Sequence, residues 1–224
     1  MNDIRHLAII MDGNQRWSEK NNKTKLEGYT QGLKKIEDVI NYAISKKIPI
    51  LTVYALSQEN FKRKSVNLIF KIIENFNKKF LSKVKKEQNV QVKIIGEKKS
   101  LTNKFNKIFF ELEEATKNFT KLRLNIVFNY GTFEEITHIF NCIKKKSIKK
   151  IDEKVIRSFM YLHNLPDPDL LIRTGGFQRL SNFIILNLSY TELFFTNTLW
   201  PDLKNNELNI ILNKYKKTKR NYGL

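Results

Sequence analysis

Hydrophobic residues occur along the chain in two alternating patterns. Short runs of four to seven residues, rich in Ile, Leu and Val, are typical of buried strands. Longer segments with apolar positions three and four residues apart are typical of helices that pack on one face. The predicted strands cover residues 6–11, 49–55, 90–95, 122–128, 169–173 and 192–195. The predicted helices cover residues 26–46, 65–86, 101–118, 133–146, 151–162 and 205–217.

This alternation of strands and helices predicts an α/β fold. Its centre is expected to be a mostly parallel six-stranded sheet flanked by helices. No repeat, long linker or change of composition divides the 224 residues. We therefore expect a single domain over residues 1–224.

Charge and composition narrow the class of partner. The chain has 41 Lys and Arg against 22 Asp and Glu, a formal charge of +19, which favours nucleic acid, a membrane surface or phosphorylated small molecules as partners. The alternative is that lysines simply cover the surface of a protein from a compositionally biased proteome. A single cysteine, Cys142, precludes an intrachain disulfide, and no apolar run approaches the ~18 residues of a membrane span. With no targeting segment recognised, we expect a cytoplasmic protein.

Polar segments follow four of the predicted strands, at the sheet edge where open α/β sheets bind ligands. They contain Arg, Asn, Ser, Gly and carboxylate side chains, which suit phosphate and a metal ion. The segments are residues 12–17, 57–63, 129–131 and 173–182.

The first of these segments combines a sharp turn with opposite charges. Gly13 lets the backbone turn after the strand, and Arg16 offers a bidentate fork to phosphate oxygens. Asp12 would repel a phosphate unless a cation lay between them, and Mg²⁺ typically binds one or two carboxylates plus substrate phosphates. The alternative is an ordinary turn in which Asp12 caps a helix.

The last segment repeats this chemistry. Arg173 and Arg179 flank two glycines, and Ser181 follows, so the loop suits a diphosphate. The alternative is a surface Gly-Gly turn with solvated arginines. Two anion-binding loops on one sheet indicate two phosphorylated substrates or one long polyphosphate.

Several common chemistries lack their motifs. The sequence has neither a Gly-x-x-x-x-Gly-Lys-Ser/Thr loop nor a Gly-x-Gly-x-x-Gly fingerprint. Its three histidines lack metal-site spacing, and one cysteine cannot build a zinc or iron–sulfur centre.

Taken in order, the polar segments resemble the signature motifs of the cis-prenyltransferases, the undecaprenyl diphosphate synthase family. Residues 6–17 resemble the opening signature, 54–63 the second motif and 128–131 the third. The resemblance to the fourth and fifth motifs lies in residues 168–176, 179–183, 190–195 and 200–202, and the match extends to residues 222–223.

The resemblance implies a fold, a reaction and partners. The fold would be undecaprenyl diphosphate synthase-like. The enzyme would be a Mg²⁺-dependent prenyltransferase that condenses isopentenyl diphosphate units onto an allylic diphosphate, expected to be farnesyl diphosphate. Its product would be a long polyprenyl diphosphate, such as the precursor of the undecaprenyl carrier lipid. A homodimer is implied, with peripheral membrane contact for product release and no nucleic acid partner.

The resemblance also implies roles for individual residues. Asp12 would be catalytic and would hold Mg²⁺ together with Glu192, which belongs to the partner subunit's site. Asn60 would be catalytic, serving condensation and proton removal with Ser57, and Glu59 lies close by. The allylic diphosphate would be cradled by Gly13, Asn14, Gln15 and Arg16, with Trp17 beside them as a further substrate-binding residue. The isopentenyl diphosphate would be bound by Arg173, Arg179, Leu180 and Ser181.

At three further substrate-binding positions, the chain differs from the family pattern. Lys25 and Tyr29 stand where the family usually has Arg and His, and Phe61 stands where Trp is common. Gln58 and Arg63 complete the second motif, and a C-terminal arginine, Arg220, would approach the neighbouring subunit's site.

A growing prenyl chain needs an apolar tunnel, and the helix predicted over residues 65–86 is a candidate wall. Its apolar positions form one stripe and a broader flank, namely Val66, Ile69, Phe70, Ile73, Phe80, Val84, Leu68, Ile72 and Phe76. A deeply buried core helix is the alternative, and the two are compatible. Phe194, Phe195 and Trp200, near Glu192, are candidates for either a subunit interface or the intramolecular core.

Two other functions remain open from the sequence. The charge of +19 would suit a nucleic-acid-binding protein, although the arginines lie in glycine loops and no nucleic-acid module is recognisable. The chain could also be the non-catalytic subunit of a heteromeric cis-prenyltransferase. Such subunits lack the Asp-Gly-Asn signature, which residues 12–14 retain.

Overall fold

Six parallel strands form the central sheet of the computed structural model, which describes residues 3–61 and 66–219. Arg63 and Arg220 lie outside the described residues. The strands are β1 (His6–Ile10), β2 (Ile50–Ser57), β3 (Val90–Ile95), β4 (Leu122–Tyr130), β5 (Leu170–Arg173) and β6 (Glu192–Phe195).

Eight α-helices connect and cover these strands in the described part of the chain. They are α1 (Asn14–Lys20), α2 (Lys25–Ser45), α3 (Gln58–Phe61), α4 (Val66–Glu87), α5 (Asn103–Thr116), α6 (Thr132–Lys145), α7 (Glu153–Phe159) and α8 (Asn205–Lys217). Single 3₁₀ turns cover Ile185–Asn187 and Trp200–Asp202. Every predicted strand and helix is present, whereas α1 and α3 were not predicted.

The strand order is β3-β4-β2-β1-β5-β6, and each of the five pairings is parallel. The predicted fold class is therefore confirmed. The chain builds the sheet outward from β1 on one side and then returns to place β5 on the other. Ligand sites in open α/β sheets form at such a reversal, beyond the carboxyl ends of the strands.

The two faces of the sheet bury different helices. One face packs against α2, α4, α5 and α8 in a core that extends from Ile4 to Tyr215. The other face packs beneath Phe183 and Ile184, and α6 and α7 contribute a smaller cluster around Ile139. Strands buried on both faces explain why the sequence shows continuous apolar runs rather than strict alternation.

No helix in residues 3–61 and 66–219 is both long and apolar enough to cross a membrane.

A buried polar chain crosses the amino ends of the central strands. His6 is fully buried, and its Nδ1 lies 2.7 Å from the Pro166 carbonyl oxygen. Because a carbonyl only accepts, Nδ1 carries the proton and Nε2 accepts from the Thr52 hydroxyl at 2.6 Å. Thr52 Oγ1 in turn accepts from the Asn125 amide at 2.9 Å. The neutral imidazole is thus satisfied, and burial lowers the pKa of His6 to about 4.

Because His6 is buried in its neutral form, we expect the protein to lose stability in mild acid. The unfolded chain takes up a proton on His6 below about pH 6.5, whereas the folded protein resists until about pH 4, so protons favour unfolding in that window. Stability present above pH 6.5 should fall by about 2–3 kcal/mol as the pH drops towards 4. Urea unfolding of wild type and His6→Gln at pH 7.5 and 4.5 measures the difference, since the variant should lack this component. The exposed His163→Gln variant is the matched control. Parallel pH profiles for wild type and His6→Gln would contradict the assignment.

Candidate active site

The carboxyl ends of β1 and β5 are tied together at the reversal of strand order. The Asp12 amide donates to the Thr174 hydroxyl oxygen at 3.0 Å, and that hydroxyl donates to the Asp12 carbonyl at 2.8 Å. Thr174 is fully buried. Its side chain therefore fixes the backbone that carries Asp12 relative to the loop after β5.

Asp12 lies between two arginines from different parts of the chain. Arg16 Nη2 is 2.9 Å from Asp12 Oδ1, and Arg173 Nη2 is 2.8 Å from Oδ2. The Arg173 side chain is only 4% exposed. The two anion-binding loops predicted separately thus form one charged cluster.

The alternative interpretation of Asp12 as a helix cap is wrong. Gly13, with φ 119°, is the N-cap of α1, and no side-chain hydrogen bond caps this helix. A Cβ at Gly13 would also lie 2.9 Å from the Leu199 side chain. Only glycine fits this turn, which leaves the Asp12 carboxylate free to face the arginines.

Arg173 also organises the loop that follows β5. Its Nη1 donates to Ser181 Oγ at 2.8 Å and to the Arg179 carbonyl. Its Nε is buried and has no hydrogen-bond partner among the described residues. The alternative of a solvated turn therefore fails for Arg173, whereas Arg179 and Ser181 are exposed at the sheet edge.

The second predicted motif joins the same edge through the end of β2. Ser57 Oγ accepts from the Asn60 amide at 3.2 Å, and this hydrogen bond stabilises the amino end of the short helix α3. The Asn182 amide donates to the exposed Glu59 carboxylate at 3.2 Å, so α3 is attached to the loop after β5. Asn60 is exposed.

Four other predicted site residues, from the first, second and later motifs, pack around the cluster or pair with its neighbours. Trp17 Nε1 donates to Asp202 at 2.7 Å. Leu180 packs on the core cluster around Phe183, and the Phe61 ring lies 5.9 Å from that of Phe70. Gln58 is half-buried in α3.

Within the described residues, three predicted site residues have no hydrogen bond or ion pair to the cluster. Gln15 is exposed and donates to Glu19 at 2.9 Å, and Lys25 is exposed at the first turn of α2. Glu192 pairs with Leu170 at the amino end of the sheet. Leu170 pairs with Leu7, and Asp12 lies five residues beyond Leu7, about 16 Å further along the strand direction. Asp12 and Glu192 of one chain therefore cannot share one ion.

An apolar cavity begins next to the charged cluster. Met11 and Asn14, on either side of Asp12 and Gly13, lie in its wall together with Tyr29. The remaining lining is almost entirely aliphatic and aromatic, from α2, α4, α5 and the sheet, and includes Ile36, Ile72, Ile73, Phe76, Phe80, Phe109, Leu112, Ile126 and Phe128.

The α4 helix is both a tunnel wall and part of the core. Ile72 and Phe80 line the cavity although each is only 5% exposed. Phe70 and Val84 pack in the core and are not part of the lining. The side chains of residues 66, 68 and 69 lie outside the described part.

The third motif supports the site without lining the charged cluster. The Tyr130 hydroxyl donates to Glu135 at 2.5 Å, and the Tyr54 hydroxyl donates to the Tyr130 carbonyl at 3.0 Å. Burial raises the pKa of both Tyr130 and Glu135. Trp200 is likewise structural, because it is 1% exposed and donates to the Gly32 carbonyl at 2.8 Å. It is therefore core rather than interface.

The sequence did not identify Thr174, Asn182 or Phe177 as site residues. Phe177 lies among the arginines. All three fall within the arginine-bearing loop segment, but their partners come from other segments, so no local pattern identified them.

Fold and site together define a class of protein. It is a parallel α/β protein with a carboxylate–arginine cluster at the strand ends and an apolar cavity beside it, which suits a charged head group with a hydrocarbon tail.

A family model described as "Putative undecaprenyl diphosphate synthase" matches residues 10–223. The chain is 38% identical to the isoprenyl transferase of Rickettsia typhi, over 100% of this chain and 99% of that protein.

Two solved structures have the same architecture. Lavandulyl diphosphate synthase from Lavandula x intermedia, in complex with dimethylallyl diphosphate, superimposes with a TM-score of 0.92 at 29% identity over 99% of both chains. A probable undecaprenyl diphosphate synthase from Campylobacter jejuni gives 0.84 at 29% identity over 100% of both. The chain belongs to the undecaprenyl diphosphate synthase family of prenyltransferases, and the resemblance inferred from its motifs is confirmed.

Proposed function

We propose that this protein elongates cis-prenyl chains by condensing isopentenyl diphosphate units onto an allylic diphosphate, with Mg²⁺ as cofactor. One observation carries the proposal: Met11 and Asn14, on either side of Asp12 and Gly13, line the apolar cavity, so the cavity begins next to the charged cluster. A diphosphate held at the cluster would extend its hydrocarbon chain between α2 and α4. We propose farnesyl diphosphate as the primer and a long polyprenyl diphosphate, such as the undecaprenyl carrier lipid precursor, as the product.

Two diphosphate positions follow from the arrangement of the arginines. Asn14, in the cavity wall, and Arg16, beside Asp12, would hold the allylic diphosphate. Arg179 and Ser181, on the exposed side of Arg173, would hold isopentenyl diphosphate. Holding both substrates at one sheet edge supplies the orientation that a bimolecular condensation needs.

Each step of the condensation involves different residues of the site. As the allylic carbon–oxygen bond breaks, the leaving diphosphate takes the electron pair, and Arg16 stabilises the charge that develops. The isopentenyl double bond then attacks the allylic carbon, a new carbon–carbon bond forms and a proton is lost near Ser57 and Asn60. The apolar wall of the cavity excludes water from the reactive carbon.

The chemistry of the available donors fits Mg²⁺. In the described part of the chain, no group of three His, Cys, Asp or Glu residues could hold a metal ion. Mg²⁺ needs only one or two carboxylates when substrate phosphates complete its shell. Asp12 would be the ligand from this chain, with its arginines turning to the incoming diphosphates. When bound, the ion supplies positive charge beside the diphosphate oxygens.

We further propose that the active form is a homodimer. Because Glu192 and Asp12 lie at opposite ends of the sheet, a metal site using both requires Glu192 of the partner subunit. Large apolar side chains are also exposed on α6 and around β6, namely Phe133, Phe140, Ile185 and Leu193. These suit the apolar centre of a subunit interface.

Two properties of the chain bear on where it works. The charge of +19 favours peripheral contact with an anionic membrane, onto which the apolar product could be released. With a single cysteine, a cytoplasmic location is proposed as well.

Incubation with Mg²⁺, radiolabelled isopentenyl diphosphate and farnesyl diphosphate tests the function directly. We expect label in a butanol-extractable product whose chain length exceeds that of the primer, and loss of this product when EDTA is added. Dimethylallyl and geranylgeranyl diphosphates in parallel reactions test the choice of primer. Absence of any extended product, with folded protein and all three primers, would refute the proposal.

Replacing Arg179 should impair one substrate selectively. The Arg179→Ala variant loses a charge-assisted contact at an exposed position, so the KM for isopentenyl diphosphate should rise about tenfold. The KM for farnesyl diphosphate should change less than about twofold, because Arg16 keeps its contacts. Arg157→Ala is the matched control, because Arg157 lies on α7 and forms ion pairs with Glu153 and Asp167. An equal loss for both substrates would mean that the two diphosphate positions are assigned wrongly.

A further inference from the structure

Phe177 lies among the three arginines of the site although it is 40% exposed. The guanidinium carbon of Arg179 is 4.0 Å from the centre of its ring, that of Arg16 is 4.7 Å away and that of Arg173 is 5.7 Å away. All three distances are within the ~6 Å over which an aromatic face attracts a cation. One ring therefore contacts arginines from both predicted diphosphate positions.

The backbone of the loop builds this position. Gly175 and Gly176 both have positive φ angles, 86° and 82°, and bring the chain back over the charged cluster. The Gly175 carbonyl accepts from Arg16 Nη1 at 2.5 Å. A Cβ at Gly175 would lie 2.5 Å from Arg16 Nη2 and 2.9 Å from the Asp12 carbonyl oxygen. Close passage of the glycine backbone beneath Arg16 thus places the next side chain, Phe177, against the guanidinium groups.

The three arginines depend on the ring to different degrees. Arg16 and Arg173 each have an ion pair with Asp12 and a hydrogen bond to a backbone carbonyl. For the Arg179 guanidinium, the contact with the Phe177 aromatic face takes the place of the ion pair and the hydrogen bond that the other two have, neither of which is found for it within residues 3–61 and 66–219. Without the ring, this long and exposed side chain would sample many rotamers.

An aromatic ring has an advantage over a carboxylate here. A carboxylate beside Arg179 would hold the cation but would repel an incoming diphosphate and compete with it. The face of a phenyl ring attracts the cation through its quadrupole and carries no net charge. The Arg179 guanidinium has no hydrogen bond or ion pair within residues 3–61 and 66–219, so its N–H groups stay available to phosphate oxygens.

We propose that Phe177 is a positioning residue, whose ring holds Arg179 beside Arg16 and Arg173 in an arrangement ready to bind a diphosphate. This inference rests on the proposed function, since the diphosphate is the charged group of both substrates. A side chain that is already positioned loses less conformational entropy on binding. Phe177 acts through the arginines and takes no part in the chemistry.

The experiment compares Phe177→Leu with Phe177→Tyr. Leucine keeps an apolar side chain but removes the aromatic face, whereas tyrosine keeps it. Calorimetric titration with inorganic pyrophosphate should show about three- to tenfold weaker binding for the leucine variant and a change within about twofold for tyrosine. In condensation assays the KM for isopentenyl diphosphate should rise by the same factor, with kcat within about twofold of wild type.

Two controls separate positioning from a general effect on the fold. Phe110→Leu changes another exposed phenylalanine, on α5, and should leave pyrophosphate affinity and kinetics unchanged. In an Arg179→Ala background, Phe177→Leu should have little further effect, because the residue it positions is gone. Urea midpoints of all variants verify that each is folded.

The outcomes distinguish this proposal from the proposed function. Wild-type affinity in Phe177→Leu, equal losses in the leucine and tyrosine variants, or a full loss persisting without Arg179 would each overturn the positioning role. If wild type binds pyrophosphate but makes no extended product, the proposed function fails, while the pyrophosphate titrations still decide the role of Phe177. Failure of wild type to bind pyrophosphate would overturn the positioning role, while the condensation assay alone decides the proposed function.

Discussion

Replacing Asp12 by asparagine is expected to lower the condensation rate by about 100- to 1000-fold, the scale on which single electrostatic groups act in transition states. Asparagine keeps the shape and one acceptor oxygen but removes the charge that both Arg16 and Arg173 contact at 2.8–2.9 Å. It would also remove the proposed metal ligand of this chain. Steady-state incorporation of labelled isopentenyl diphosphate measures the loss.

The stability of the Asp12 variants needs its own measurement. Arg173 is 4% exposed and would lose its carboxylate partner, so we expect Asp12→Ala to cost about 1–3 kcal/mol of unfolding free energy. That is more than a strand-end carboxylate at a solvent-facing pocket would contribute. Asp38→Asn, which neutralises an exposed carboxylate on α2, is the matched control and should leave both rate and stability near wild type. A fully active Asp12→Asn would rule out the metal role, and unfolding of this variant at assay temperature would make the residue structural.

Mixing two inactive variants should restore activity if the site is shared between subunits. Asp12→Ala and Glu192→Ala homodimers should each be inactive. In a mixed dimer one site carries both changes, while the other combines an intact Asp12 with an intact Glu192 from opposite chains. Subunit exchange should therefore recover up to one working site per mixed dimer.

The structure sharpens this experiment. Glu192 lies at the level of Leu170, and Asp12 lies beyond Arg173. The two carboxylates of one chain are therefore too far apart to form a metal site together. Differently tagged chains purified in tandem establish that mixed dimers have formed. Inactive mixed dimers would show that Glu192 has no part in the partner's site, and a Glu192→Ala homodimer with wild-type activity would show the same. Glu207→Ala, another carboxylate late in the chain, on α8, is the control for unrelated effects of charge removal.

Elements with many buried apolar residues could be predicted closely from the sequence. The strand over Val90–Ile95 was predicted at its observed limits, and α2 begins and ends within one residue of the prediction. Their apolar positions face a core on the sheet, so burial and local sequence carry the same signal. In contrast, α1 and α3 are short and polar. They form because the turn at Gly13 and the Ser57 hydroxyl hold their first residues.

The candidate site shows the same division. Asp12, Arg16, Arg173 and Arg179 could be identified as phosphate- and metal-suited residues because charged side chains and glycines follow buried strands. Their assembly into a single cluster could not, since Asp12 and Arg173 are 161 residues apart in sequence. Phe177 gave no signal, because a lone phenylalanine after two glycines has no periodic partner.

By itself, the sequence determined the α/β fold class, the family and the set of phosphate-suited residues. It could do so because strand burial, glycine turns and charge are local properties of the chain. Tertiary structure alone decided that Asp12 bridges two arginines, that Trp200 belongs to the core and that Glu192 lies at the far end of the sheet. These depend on strand order and register, which bring distant segments together or keep near ones apart. The parallel pairing of β1 with β5 places Asp12 against Arg173, and the same register carries Glu192 away from both.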